Sequence, residues 1–185
     1  NNRDFVFRAV SQNGLALKCV RQEFKADREI VRAAVEQNGL ALKYASWQLQ
    51  NDSSIVSIAV QSHGLALKYA SSELRADENR VLEAVSSNGL AFNYASCALK
   101  NNREITAKAC CGNSTVFIHA SKELQNDRSF VLEVVRTNPS VLKYVQAKFQ
   151  SDREIVLAAV RKNGYMLAYA SCLLQNDQYV IRTAF

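Results

Sequence analysis

The sequence predicts an all-α fold, an α-solenoid of about seven 25-residue helix-turn-helix repeats. Three observations predict it. An Asp or Asn recurs at an unbroken 25-residue interval, at Asn2, Asp27, Asp52, Asp77, Asn102, Asp127, Asp152 and Asp177. Apolar side chains recur within each interval at helical spacing. The 185 residues hold six glycines and one proline, too few for a loop-rich or all-β chain.

The register sets the units 2–26, 27–51, 52–76, 77–101, 102–126, 127–151 and 152–176, with a partial eighth at 177–185. Together they read as one solenoid domain over 1–185. With the Asp or Asn as position 1, position 5 is Val6, Val31, Val56, Val81, Thr106, Val131, Val156 and Ile181. Position 8 is alanine except at Val134, position 12 is Asn except at His63, and position 13 is Gly except at Ser114 and Pro139.

Residues 27–51 show how each element is written. Asp27 suits an N-cap, and Glu29 suits the positive first turn that follows. Ile30, Val31, Ala34 and Val35 share one face of the first helix. Asn38-Gly39 ends it, with the glycine suited to a left-handed cap. A second helix then places Ala41, Leu42, Ala45 and Leu49 on one face. In the sixth unit Asn138-Pro139 fits an N-cap followed by proline at the first helical position. Helices of this length are marginal alone, since isolated helices below about 12–15 residues barely form in water. Each unit must therefore lean on its neighbours. A compact bundle is the alternative, and identical units of identical length argue against it.

The pattern D-x-x-x-V-x-x-A-V-x-x-N-G-x-A-L-K-Y-A-S is intact in 27–46 and close in 52–71 and 152–171. It resembles tandem helical repeats of a family known as a domain of unknown function, the 4116-type repeat. The spacing is also similar to that of variant leucine-rich repeats. The resemblance implies a repeat fold and brings no activity with it. Units five and six depart from it at Ser114, Ile118, His119 and Pro139, and regular stacking is least expected there.

Positions that recur once per unit form ladders. The aromatic ladder at position 18 is Tyr44, Tyr69, Tyr94, Tyr144 and Tyr169. It reads first as inter-repeat packing and second as a row of stacking platforms for bases. The Asn ladder at position 12 reads as turn capping. The outward face of the second helix carries lysines and an arginine, and Lys43, Trp47, Lys68 and Arg75 are its candidate partner-binding residues. Leu82, Leu132 and Leu157, at position 6 of the first helix, are a second candidate surface if exposed and ordinary core if the neighbouring units cover them.

Chemistry is sparse. His63 and His119 lie in different units, and Cys110-Cys111 with His119 is the nearest approach to a catalytic or metal set. Cys97 and Cys172 share position 21 three units apart, too far for a disulfide. No phosphate loop, metal site or cofactor is expected. Five cysteines, an odd number, favour free thiols and an intracellular, reducing compartment. No apolar run is long enough for a membrane span. The chain ends inside its eighth unit, which suggests a longer array or a covered end. A net charge of +6 permits an acidic partner. The sequence therefore points to a non-enzymatic protein-interaction scaffold or a structural subunit of a larger assembly. The alternative is nucleic-acid binding along the basic outer face.

Overall fold

The computed structural model describes residues 2–185. They are helical throughout, with no strand among them, and the chain is an all-α helical-repeat protein. It divides into two compact units, 1–99 and 100–185. No helix of the described residues is long and apolar enough to cross a membrane.

In residues 1–99 the first helices are Asn2–Gln12, Arg28–Gln37, Ser53–Ser62 and Glu78–Ser87, packed side by side in one row. A second row consists of Gly14–Cys19, Gly39–Tyr44, Gly64–Tyr69 and Gly89–Tyr94, all 3-10 helices. Short third segments, such as Gln22–Lys25 and Trp47–Gln50, pack against the first helix that follows. Residues 100–185 repeat the plan with first helices Arg103–Gly112, Arg128–Thr137, Arg153–Val160 and Gln178–Ala184. Their 3-10 segments are Ser114–His119, Pro139–Lys143 and Gly164–Tyr169. The core lies between the rows, for example Ile30, Val31, Ala34, Leu42 and Leu49 in one unit and Phe130, Val131, Val135, Leu142 and Phe149 in the other.

The caps read from the sequence are present. Asp27, Asp52, Asp127, Asp152 and Asp177 each accept two backbone N–H groups of the first helical turn, while Asp77 and Asn102 each accept one. The Asn side chains at position 12, such as Asn38, cap the 3-10 segments by accepting the N–H two residues on. Asn138 does the same ahead of Pro139 at the first helical position.

Two expectations are corrected. The second element is a six-residue 3-10 helix, longer than the usual three or four residues. It is separated from a short α-helical turn by extended backbone at Ala45 and Ser46. The break frees the Ser46 N–H to donate to the Lys25 carbonyl of the preceding repeat at 2.8 Å. Ser71 to Gln50, Ser96 to Arg75, Ser121 to Lys100 and Ser171 to Gln150 repeat the bond. Where position 24 is glutamine, carbonyls at the end of the 3-10 segment find another donor. Gln50 Nε2 donates to Leu42 and Ala45, and the buried Gln125 Nε2 donates to Ile118 and Ala120.

The second correction concerns glycine. No described glycine has positive φ. At Gly39 the cause is close approach: a Cβ there would land on the carbonyl oxygen of Ala59 in the next repeat. Its N–H donates to Ser62 Oγ of that same repeat at 3.1 Å. Position 13 is thus where the 3-10 row touches the next first helix, and the alanine at position 8 keeps that helix near. In repeat 5 Ser114 stands in place of that glycine, and in repeat 6 Val134 stands in place of the alanine at position 8. Asn138 Nδ2 donates across this junction to the Cys110 carbonyl at 2.8 Å.

Candidate functional site

The cations divide into two groups. Arginines at position 2 form ion pairs with the capping Asp of the next repeat. Arg3 meets Asp27 at 2.8 Å, Arg28 meets Asp52 at 3.2 Å, Arg103 meets Asp127 at 2.9 Å, Arg128 meets Asp152 at 2.6 Å and Arg153 meets Asp177 at 3.3 Å. Each such Asp caps its own helix and clamps its neighbour. The Arg128 hydrogen bond holds the Asp152 carboxyl below its ordinary range, and Arg3 does the same for Asp27. Burial opposes this at Asp52, where the Ser54 hydroxyl and helix N–H groups outweigh it.

These carboxylates set an acid limit. A folded value below the unfolded one, near 3.9 for Asp, gives stability that is complete above the unfolded value. That stability is lost as pH falls through the lowered folded values. Melting temperature is therefore expected to hold from neutral pH down to about 4 and then to drop. Asp152→Asn keeps a capping acceptor, as Asn102 shows, but removes one titrating charge. Thermal melts should show a lower stability at neutral pH and a shallower acid decline for this variant. An unchanged decline would remove Asp152 from the account.

Lysines behave differently. Lys43 Nζ lies over the Tyr44 ring at 5.6 Å. Lys68 lies between Tyr69 at 5.9 Å and Tyr94 at 5.8 Å. Lys143 lies between Tyr144 at 5.6 Å and Tyr169 at 5.8 Å. None of the three has a carboxylate partner among the described residues, and all three are exposed. Tyr44, Tyr69, Tyr94 and Tyr144 are thus half-buried and Tyr169 is exposed, and their ring faces hold ammonium groups at the surface.

The structure sorts the predicted residues. Lys43, Lys68 and Trp47 are exposed, Trp47 at 73%. The break at Ala45 and Ser46 means that Lys43 and Trp47 do not share one continuous helix. Arg75 is not an outward cation. It takes the place of the capping glutamine, is half-buried, and has a buried Nε with no hydrogen-bond partner. Leu132 and Leu157 are only 9% exposed. Leu82 is half-buried beside Gln61, Arg80 and Glu83. Position 6 therefore offers no protruding apolar patch, and Leu132 and Leu157 are reached only at the floors of two hollows.

Sequence reading missed the arginine ladder. Its signal, an Arg directly after the capping residue in five units, was visible, but the partner lies 24 residues on. Missed too was Arg80, which occupies a core-stripe position and is held by Asp77 and Glu83. Burial pushes the Cys110 thiol up to about 12. The five cysteines are free thiols. No cluster of three His, Cys, Asp or Glu side chains able to hold a metal is found among the described residues.

The model of one protein family matches the chain at residues 2–50, 77–125, 107–150 and 127–174. No curated protein and no solved structure matches it. With most of its length matched in overlapping tandem segments of about two repeats each, the chain belongs to the family described as domain of unknown function (DUF4116).

Proposed function

We propose that this helical-repeat chain is a non-enzymatic scaffold that binds an acidic protein partner along the lysine-tyrosine strip of residues 1–99. One observation carries the reading. The cations of the strip, Lys43 and Lys68, enter no ion pair of the fold and lie over tyrosine rings at the surface, whereas the position-2 arginines are held by aspartates. An exposed ammonium on an aromatic face has already lost part of its side-chain freedom, so less is lost when a carboxylate reaches it. The exposed Trp47 supplies the large apolar anchor that strong interfaces favour. A non-enzymatic reading is supported by Cys110, whose buried thiol stays protonated at neutral pH and is a poor nucleophile.

A double charge reversal, Lys43→Glu with Lys68→Glu, and separately Trp47→Ala, tests this by affinity capture. Arg75 is left intact because it is half-buried. Both variants are expected to melt like the parent and to lose the same captured protein. An unchanged profile from both would end the proposal.

A second reading rests on the alternation of basic and aromatic groups, a pattern that also suits single-stranded nucleic acid. Fluorescence anisotropy with a labelled oligothymidylate decides between them. Nucleic-acid binding predicts steep weakening with salt and loss in the double lysine variant. A mainly protein-binding strip predicts weak oligonucleotide affinity even at low salt.

A further inference from the structure

We infer that the first-helix face of repeats 6 and 7 is a docking groove for an acidic, amphipathic helix of a protein partner. This surface is separate from the lysine-tyrosine strip. It is an open hollow of about 520 Å³ with Leu157 and Ala158 in its lining. Arg136, Arg153, Arg161 and Lys162 stand round it against one carboxylate, Glu154. That carboxylate is already taken, by Arg128 at 2.9 Å and Arg136 at 3.1 Å. Arg153 is engaged by Asp177. Arg161 and Lys162 have no carboxylate partner among the described residues and are exposed. The groove therefore holds uncompensated positive charge beside an apolar floor.

The pattern within the chain separates this charge from structural need. Position 10 of the first helix is exposed in every complete repeat, as Ser11, Glu36, Gln61, Ser86, Cys111, Arg136 and Arg161. The fold accepts almost anything there. Arginine stands there only in repeats 6 and 7, and in both it accompanies leucine at position 6, Leu132 and Leu157. A second hollow, of about 640 Å³, lies over Leu132 and shares Arg136 and Glu154 with the first. The two form one run across adjacent repeats. The equivalent hollow over Leu82 is different, because Asp77 and Glu83 neutralise its Arg80.

Occupancy follows from charge and spacing. Packed helices stand about 8–10 Å apart. The nearest two-turn spacing that brings an α-helix back to the same face is seven residues, about 10.5 Å at 1.5 Å each. A partner helix crossing repeats 6 and 7 thus meets the two leucines with apolar side chains seven residues apart, and its flanking carboxylates meet Arg136, Arg161 and Lys162.

The test uses a labelled synthetic helix of about three heptads, rich in glutamate, with one leucine per heptad. Its comparison is a peptide of equal composition with leucines scattered round the helix. Anisotropy titrations of the full chain should show the ordered peptide binding at least tenfold tighter than the scattered one. Arg161→Glu with Lys162→Glu, both on exposed side chains, should weaken binding at least tenfold and leave melting unchanged. Lys43→Glu with Lys68→Glu should bind the peptide like the parent, which keeps this groove distinct from the strip. Equal binding of the two peptides, parent-like binding by the Arg161/Lys162 variant, or tighter binding of an oligothymidylate than of the ordered peptide would each overturn the inference.

Discussion

Gly39→Ala is expected to lower stability by about 3 kcal/mol or more, the upper range for overpacking. The added methyl meets the Ala59 carbonyl oxygen, a main-chain atom of a packed helix that no side-chain rotamer can move. Accommodation requires the first helix Ser53–Ser62 to retreat from the 3-10 segment Gly39–Tyr44. That separation also stretches the bond from the Gly39 N–H to Ser62 Oγ. For a chain of this length the loss corresponds to about 6–12 °C in melting temperature. Circular dichroism melts and urea titrations check it. A loss below about 1 kcal/mol would show that the rows can separate freely, and the close-approach account of position 13 would go with it.

Phe130→Ala has a comparable expected effect, about 3–5 kcal/mol for truncating a fully buried phenylalanine. Its ring also carries the Arg103 guanidinium at 5.1 Å, and that arginine reaches Asp127 and Glu133. The cavity thus removes core volume and the support of an inter-repeat clamp together. Phe130→Ile is the informative companion. The same slot is Ile105 and Ile155 in the flanking repeats, both fully buried, so isoleucine should cost below about 1.5 kcal/mol. Denaturant titration of the two variants separates the explanations. Equal losses would mean that ring stacking, not volume, is what the site requires.

Much of this fold was legible because its signals are local. An Asp cap acts on residues two and three ahead, and the apolar stripe of Ile30, Val31, Ala34 and Val35 is set by helical geometry alone. What escaped depends on the neighbouring repeats. Nothing within 27–51 distinguishes a 3-10 from an α-helical second element, because the break at Ala45 and Ser46 serves a bond to Lys25. Glycine after asparagine has a familiar local explanation, and the actual one is a carbonyl 20 residues away. The candidate surfaces divide in the same way. Lys43, Trp47 and Lys68 protrude as their short-range pattern implies, while the burial of Leu132, Leu157 and Arg75 follows from how repeats lie against one another.

The partition between clamping arginines and ring-borne lysines has a practical reach. Acetylation of Lys43, Lys68 or Lys143 would erase a charge while leaving every interlocking Arg–Asp contact in place. The outward electrical character of the chain can therefore be rewritten, by enzymes or by design, with the loss of cation–ring contacts alone.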